Sequence, residues 1–347
     1  MRRYILILLS GLLLTTTQCR VHATECDADD FTCESLTLLA YLHSKLQGRF
    51  IAVGDAGAIY YSDSGAAGSW QDAGLGISNQ MTAVAFGNQY IVAVGATGQV
   101  WSSAEGERGT WTRHDAGTTA DLRAVTYGEG KFIVSGATGS VFIADESDLA
   151  TWRDASFQTA GNNWSGITYG EGRFVIAGSA CRSWYSETGE AGTWVDATIG
   201  CGSNLFDIEY SGTRFFYVGV SGALRYSPDA LSSGSWVFAN TGGGSTLFGA
   251  ASGNGVFIAT GASGEIWQSP SADNGTWTMR ASSVNNVEDA AYGNGLFIAA
   301  GDAGTPLLQS SPDGITWTDI SSGLSATGLR GIAFGYLPRG PLEAPLY

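Results

Sequence analysis

Histidine is almost missing from this chain, with three in 347 residues. His22 and His43 fall in the first 47 residues, which leaves only His114 beyond them. One imidazole excludes most histidine-based zinc sites and gives a Ser-His-Asp triad a single candidate. His114 follows a fourth-strand stretch of the repeat described below and is expected in a loop. Positive charge is also scarce. Lysine and arginine total 17 against 32 acidic residues, a net charge of −15. The charges are scattered, so the surface repels phosphate backbones and no nucleic-acid partner is expected. Long apolar runs are absent past the start, and residues 4–14 are too few to cross a bilayer as a helix. Gly-x-Gly pairs occur in hairpin contexts and not ahead of helices, so no nucleotide fingerprint is present. The segment Asp27-Ala-Asp29-Asp30 lacks the spacing of a calcium loop. No metal and no cofactor are expected.

The N-terminus has the features of an export signal. Arg2 and Arg3 precede the apolar run, and Val21-His22-Ala23 offers small residues for cleavage. Residues 1–23 are expected to be removed, leaving a periplasmic or extracellular chain. The alternative is an outer-membrane lipoprotein modified at Cys19, for which Gln18 is a poor fit. Cysteine number agrees with export. Of five cysteines, Cys26, Cys33, Cys181 and Cys201 remain after cleavage. Four cysteines allow three connectivities. Position favours Cys181–Cys201, which fall in loops on one face of the fourth repeat, and leaves Cys26 to pair with Cys33.

Against these absences stand seven evenly spaced tryptophans. Trp70, Trp111, Trp152, Trp194, Trp236, Trp277 and Trp317 are separated by 41, 41, 42, 42, 41 and 40 residues. Fifty glycines recur at fixed places in the same period. Each period contains four short apolar stretches bounded by glycine. In the third, residues 122–127, 131–135, 140–144 and 152–156 are expected strands. No helical period lies between them. Four strands per period of about 40 residues mark a propeller blade. The expected fold is all-β, a seven-bladed β-propeller of four-stranded antiparallel blades. First turns such as Gly128-Glu-Gly130, and second turns such as Gly54-Asp-Ala-Gly57, are expected to use glycine for positive φ. Small residues alternate along the innermost strand, as at Ala124 and Thr126 or Gly331 and Ala333. Blades crowd near an axis, so bulk belongs on the outer strands.

The last period ends near Ile320, yet residues 329–334 repeat the innermost-strand pattern without a blade of their own. Residues 48–53 open a blade that lacks this strand. The C-terminal strand is therefore expected to join blade one and close the ring. Residues 36–41 compete for that place, but they put Leu38 where small residues dominate. The expected organisation is a signal at 1–23, a cysteine-containing segment with a short helix or cap at 24–47, the propeller at 48–335 and a tail at 336–347.

Near each outer turn the chain reads roughly Ser-x-x-Gly, then Gly-Thr-Trp. The clearest copy is Ser311-Pro-Asp-Gly-Ile-Thr-Trp317. This resembles the Asp-box, or BNR, repeat of sialidase-like propellers, and also the photosystem II assembly-factor type of seven-bladed propeller. The resemblance covers about 48–335 and rests on Ser311, Asp313, Gly314 and Trp317. It implies a structural hairpin remote from any ligand face. Most copies lack the aspartate. The sialidase-like enzymes that share the repeat have six blades, an arginine triad, a tyrosine nucleophile and an early Arg-Ile-Pro segment. That segment is missing here, and only two arginines begin innermost strands.

Charged residues on the innermost strands are the candidate binding groups: Arg123, Arg330, Asp207, Glu209, Glu288 and Asp289. Asp55 and Asp302 join them from second turns. Arginines among carboxylates suit a protein, peptide or glycan partner. The expected function is an exported, monomeric, non-enzymatic binding scaffold. The alternative is a glycoside hydrolase of sialidase-like ancestry.

Overall fold

The period folds into seven sheets of four antiparallel strands in the computed structural model. The structure describes residues 46–157, 162–200, 203–283, 285–302, 308–325 and 328–338. In blade three the strands are Leu122–Gly128, Lys131–Gly136, Val141–Asp145 and Arg153–Asp154, paired in chain order from the axis outward. The central strands read as continuous apolar runs because both of their faces are covered. Phe132, Ile133 and Val134 are fully buried. The fourth strand is shorter than the sequence predicts in blade three, where only two residues pair with the third strand. It extends to four in blades two, five and six, over Thr112–Asp115, Val237–Asn240 and Thr278–Ala281.

The core lies between blades. Each seam holds one apolar cluster built from two neighbouring sheets, such as Val92 and Val94 of blade two against Phe132 and Val134 of blade three. The remaining seams repeat this arrangement. A single blade therefore has no complete core of its own.

The ring closes with the C-terminal strand. Leu329–Pro338 is the innermost strand of the first sheet, beside Leu46–Gly54, Ile59–Ser62 and Gln71–Asp72. Leu329 and Ile332 pack in one seam with Phe50, Ala52 and Ile298, so blades seven and one meet there. The closing strand gives Leu46–Gly54 a partner on both sides, Leu329–Pro338 and Ile59–Ser62, so the strand that opens blade one is not left as a sheet edge. Residues Gly48–Leu337 form one compact unit. Leu46, Gln47 and Pro338 are the only described residues beyond it. The expected signal at 1–23, Cys19, Cys26, Cys33, Cys201, most of the 24–47 segment and the end of the tail lie outside the described residues.

The two turn types divide the glycines by physical role. In the first turns of blades three, four, six and seven the expected positive φ is present, whereas Gly87-Asn88 of blade two has none. Glu129 and Gly130 have φ of 50° and 76°, and they join the paired residues Gly128 and Lys131 in a type I′ hairpin. In second turns the leading glycine departs from the expectation. Gly54 is extended at φ −169°, and the left-handed positions are Ala56 and Gly57. Gly54 is needed for space. A Cβ there would lie 2.1 Å from the Gly328 carbonyl oxygen. That carbonyl accepts the Asp55 N–H at 3.0 Å. Gly95 and Gly136 repeat the arrangement against the Gln80 and Asp121 carbonyls, at 2.2 and 2.1 Å. The innermost strand is thereby hung on the turn of its own blade.

Candidate functional site at the channel mouth

Every innermost strand opens on a large apolar residue, from Met81 and Leu122 round to Leu329, and each of these is buried. The next residue is free of that constraint. In six blades the ladder skips it in a β-bulge, at Thr82, Arg123, Ser165, Phe206, Phe248 and Glu288. A bulge bends the strand locally and re-aims a side chain. All six residues line the central cavity of about 500 Å³, together with Arg330 at the matching place in blade one. The second residue is also the most varied position of the inner strand. Packing sets its neighbours, while this position carries a cation, a hydroxyl, an aromatic ring or a carboxylate. The bulges occur where second turns meet inner strands, so these side chains gather at one end of the channel.

Arg330 is surrounded. It contacts Asp55 at 3.2 Å, Glu288 at 3.2 Å and Asp302 at 3.0 Å. Asp55 also accepts a hydrogen bond from Gln80 at 2.6 Å. Burial disfavours ionisation of Asp55, but bonds from Arg330 and Gln80 outweigh it and hold the carboxyl below its ordinary value. Glu288 goes the other way. Burial pushes it up, and the negative charges of Asp302 and Asp55 add to that against the pull of Arg330. Among the described residues one guanidinium thus contacts three carboxylates on this side of the mouth. Arg123 differs. It is exposed, lines the cavity, and forms no hydrogen bond or ion pair with any described residue. Phe206 and Phe248 meet edge to face at 5.7 Å between centroids.

The other candidates sit one step further along their strands. Asp207 Oδ2 accepts the Ala250 N–H at 3.0 Å, and Asp289 Oδ2 accepts the Ile332 N–H at 2.9 Å. Each aspartate thus ties its blade to the next. Both face glycine across the seam, because the blades nearly touch. A Cβ on Gly249 would lie 2.6 Å from the Asp289 Cα, and one on Gly166 2.9 Å from the Asp207 Cα. The alternation Gly166, Asp207, Gly249, Asp289, Gly331 is visible in the sequence once blades are aligned, although charge alone does not reveal its stapling role. Glu209 accepts from the Ser252 hydroxyl at 3.2 Å. Burial raises the pKa of all three carboxyls, and mutual repulsion adds to it at Glu209 and Asp289. Glu209 is pushed up to about 8. Among the described residues no group of three or more histidine, cysteine or acidic side chains is arranged to hold a metal ion.

His114 corrects the sequence expectation. It lies inside the fourth strand of blade two, not in a loop, and its Nε2 is 2.7 Å from the Ser102 hydroxyl. Ser102 is buried, and burial lowers the His114 pKa, so the pair serves the sheet. Ser311, Asp313, Gly314 and Trp317 form a hairpin at the end of blade seven away from the second turns, where Phe297 pairs with Ser311. Ser311 Oγ accepts the Gly314 N–H at 2.9 Å and donates to Asp313 at 3.0 Å. Where the aspartate is missing, a hydroxyl seven residues on replaces it. Ser62 meets Ser69, Ser103 meets Thr110, Ser186 meets Thr193 and Ser269 meets Thr276, each at 2.6 Å. That explains the threonine before tryptophan in the repeat. Cys181 is fully buried at the left-handed place that Gly57, Gly98, Gly139, Gly222 and Gly264 take in the other described second turns.

No protein-family model matches the chain, and no curated protein matches it. Solved structures do share the fold. The computationally designed protein Ika8 superposes with a TM-score of 0.52 at 12% identity, over 71% of this chain and 77% of that one. The structure of YCF48 bound to a D1 peptide superposes with a TM-score of 0.56 at 15% identity, over 72% and 84%. At such identities the likeness is one of fold. No described helix is long and apolar enough to cross a membrane.

Proposed function

We propose that this chain is an exported, monomeric binding scaffold that takes a protein or peptide segment at the mouth formed by the bulge residues. One observation carries the reading: the second inner-strand residue of every blade lines the same cavity, and together these positions supply cations, hydroxyls, aromatic rings and a carboxylate. A fold-level neighbour that holds a peptide agrees with it. Arg330 stiffens the mouth through its three carboxylates, while Arg123 is available to a partner. Export is supported by Arg2, Arg3, the apolar residues 4–14 and the small residues before Thr24. A Cys181–Cys201 bond is supported by the buried, disulfide-bonded Cys181. It would close a loop of roughly twenty residues beside the mouth and add about 3 kcal/mol. The hydroxyl-capped outer hairpins are best understood as worn Asp-boxes.

The test is a peptide and glycan array probed with the full chain and with a triple variant, Arg123→Met, Phe206→Ala and Phe248→Ala. Ligands bound by the parent and lost by the variant support the scaffold. Equal binding by both rejects the mouth. The second reading, a glycoside hydrolase, is favoured by the raised carboxyls of Asp207 and Glu209. Two features weigh against it. Asp207 spends its oxygens on backbone N–H groups, and Glu209 accepts from the Ser252 hydroxyl of the next blade. Hydrolysis of a fluorogenic glycoside that disappears with Asp207→Asn would establish the enzyme instead.

A further inference from the structure

The mouth carries charge of opposite sign on opposite sides. Arg123 belongs to blade three, and Glu288 to blade seven, nearly across a ring of seven. Asp55 and Glu288 both contact Arg330, so among the described residues two carboxylates on that side share one guanidinium. Beside Arg123, in blade four, the Ser165 hydroxyl also lines the cavity and makes no hydrogen bond with a described residue. Thr82, on its other side, is already spent on the Leu122 and Val94 carbonyls at 2.7 and 3.1 Å. Between the two poles run Phe206 and Phe248. In order round one arc, the ring presents free cation and hydroxyl, aromatic pair, then surplus carboxylate.

We propose that the mouth binds a short zwitterionic peptide of two or three residues with an apolar side chain. Its terminal carboxylate pairs with Arg123 and Ser165. Its ammonium group faces Glu288 and its acidic neighbours. Its side chain lies on the Phe206–Phe248 pair. The inference rests on the mouth being the binding surface proposed above, and it narrows the ligand. A cavity of about 500 Å³ falls in the range of small-ligand sites, roughly 300–1,000 Å³, and is too small for a folded partner. A neutral sugar would leave both poles unmatched. An anion such as phosphate would satisfy Arg123 but meet the acidic side. A guanidinium aligned to a carboxylate gives paired, charge-assisted bonds, so a chain end is recognised more strongly than an internal peptide unit.

The experiment is calorimetric titration of the full chain with unblocked Phe-Leu, with the same dipeptide N-acetylated, with it C-amidated, and with both ends blocked. The expected result is binding of the unblocked peptide, at least tenfold loss on blocking either end, and no binding with both ends blocked. Arg123→Met is expected to abolish the penalty of C-amidation while Phe248→Ala weakens every form. Circular dichroism of each variant confirms that it is folded. If the doubly blocked peptide binds as well as the unblocked one, the zwitterion is rejected while the mouth remains the scaffold's binding site. If no peptide binds and the array ligands are also insensitive to the mouth variant, both readings fall.

Discussion

Replacing Gly54 by alanine tests how the ring is held shut. The added Cβ would lie 2.1 Å from the Gly328 oxygen, 2.9 Å from the Leu329 Cα and 3.0 Å from the Gly328 carbon. All three atoms are backbone, so no side chain can swing away. Overpacking in a rigid interior costs about 1–3 kcal/mol. Moving the strand also breaks the Asp55 N–H bond to Gly328 and leaves a donor unpaired, about 1–3 kcal/mol more. A loss of about 3–5 kcal/mol is expected, a large share of a total of about 5–15. The assay is urea unfolding followed by tryptophan fluorescence. Gly136→Ala, with the Asp121 oxygen at 2.1 Å, makes the same clash inside a blade of continuous chain and should lose as much. Gly234→Ala, whose nearest neighbour is the Ser232 hydroxyl at 4.0 Å, should stay within about 0.5 kcal/mol of the parent. If Gly54→Ala matches Gly234→Ala while Gly136→Ala is damaged, the closing strand is not seated on the first turn and the reasoning fails.

Further consequences concern charge and capping. Asp207, Glu209 and Asp289 have raised carboxyl pKa values in the fold, Glu209 about 8, so the folded chain binds protons that the unfolded chain releases near pH 4. Stability should therefore decline as pH rises from about 4 to 8, and the double variant Asp207→Asn, Glu209→Gln should flatten that decline in melting curves. Asp55, Glu190, Asp229 and Asp273 have lowered values, so their stabilisation is lost at the acid end and a maximum is expected between the two limbs. Arg330→Met leaves three carboxylates facing one another at the mouth and should destabilise by about 2–3 kcal/mol, less than a fully buried pair because solvent reaches the groups. Arg123→Met, with no described partner to lose, should change stability by under about 0.5 kcal/mol. Ser311→Ala strands the Gly314 N–H in a buried turn and should remove about 1–2 kcal/mol in urea unfolding.

Much of the fold was legible because packing repeats. The tryptophan period, the glycines and the small inner-strand residues follow from wedge-shaped sheets around an axis, and the orphan pattern at 329–334 located the closing strand. The mouth was only partly legible. Charge marked Arg123, Arg330, Glu288, Asp55 and Asp302, but the bulge that aims each second residue inward depends on ladder geometry with no signature residue of its own. Phe206 and Phe248 were missed for that reason, since an apolar residue in a strand gives no sign of facing a channel. Ser165 was missed because a serine among small residues matches the crowding rule. Asp207 and Asp289 were visible as charges, yet their role as ties to Ala250 and Ile332 needs the neighbouring blade. His114 went to a loop because the length of the fourth strand varies between blades, and sequence does not show where that pairing stops.

Site-specific photo-crosslinking tests most directly whether the bulge-lined mouth is the working surface. A benzoylphenylalanine is placed at Phe248 in the mouth or at Asn294 in a first turn at the other end, and the full chain is irradiated with the peptide ligands that the array identifies. Discrete adducts from position 248 and none from 294 are predicted. Adducts from 294 alone, or from neither position, would contradict the assignment.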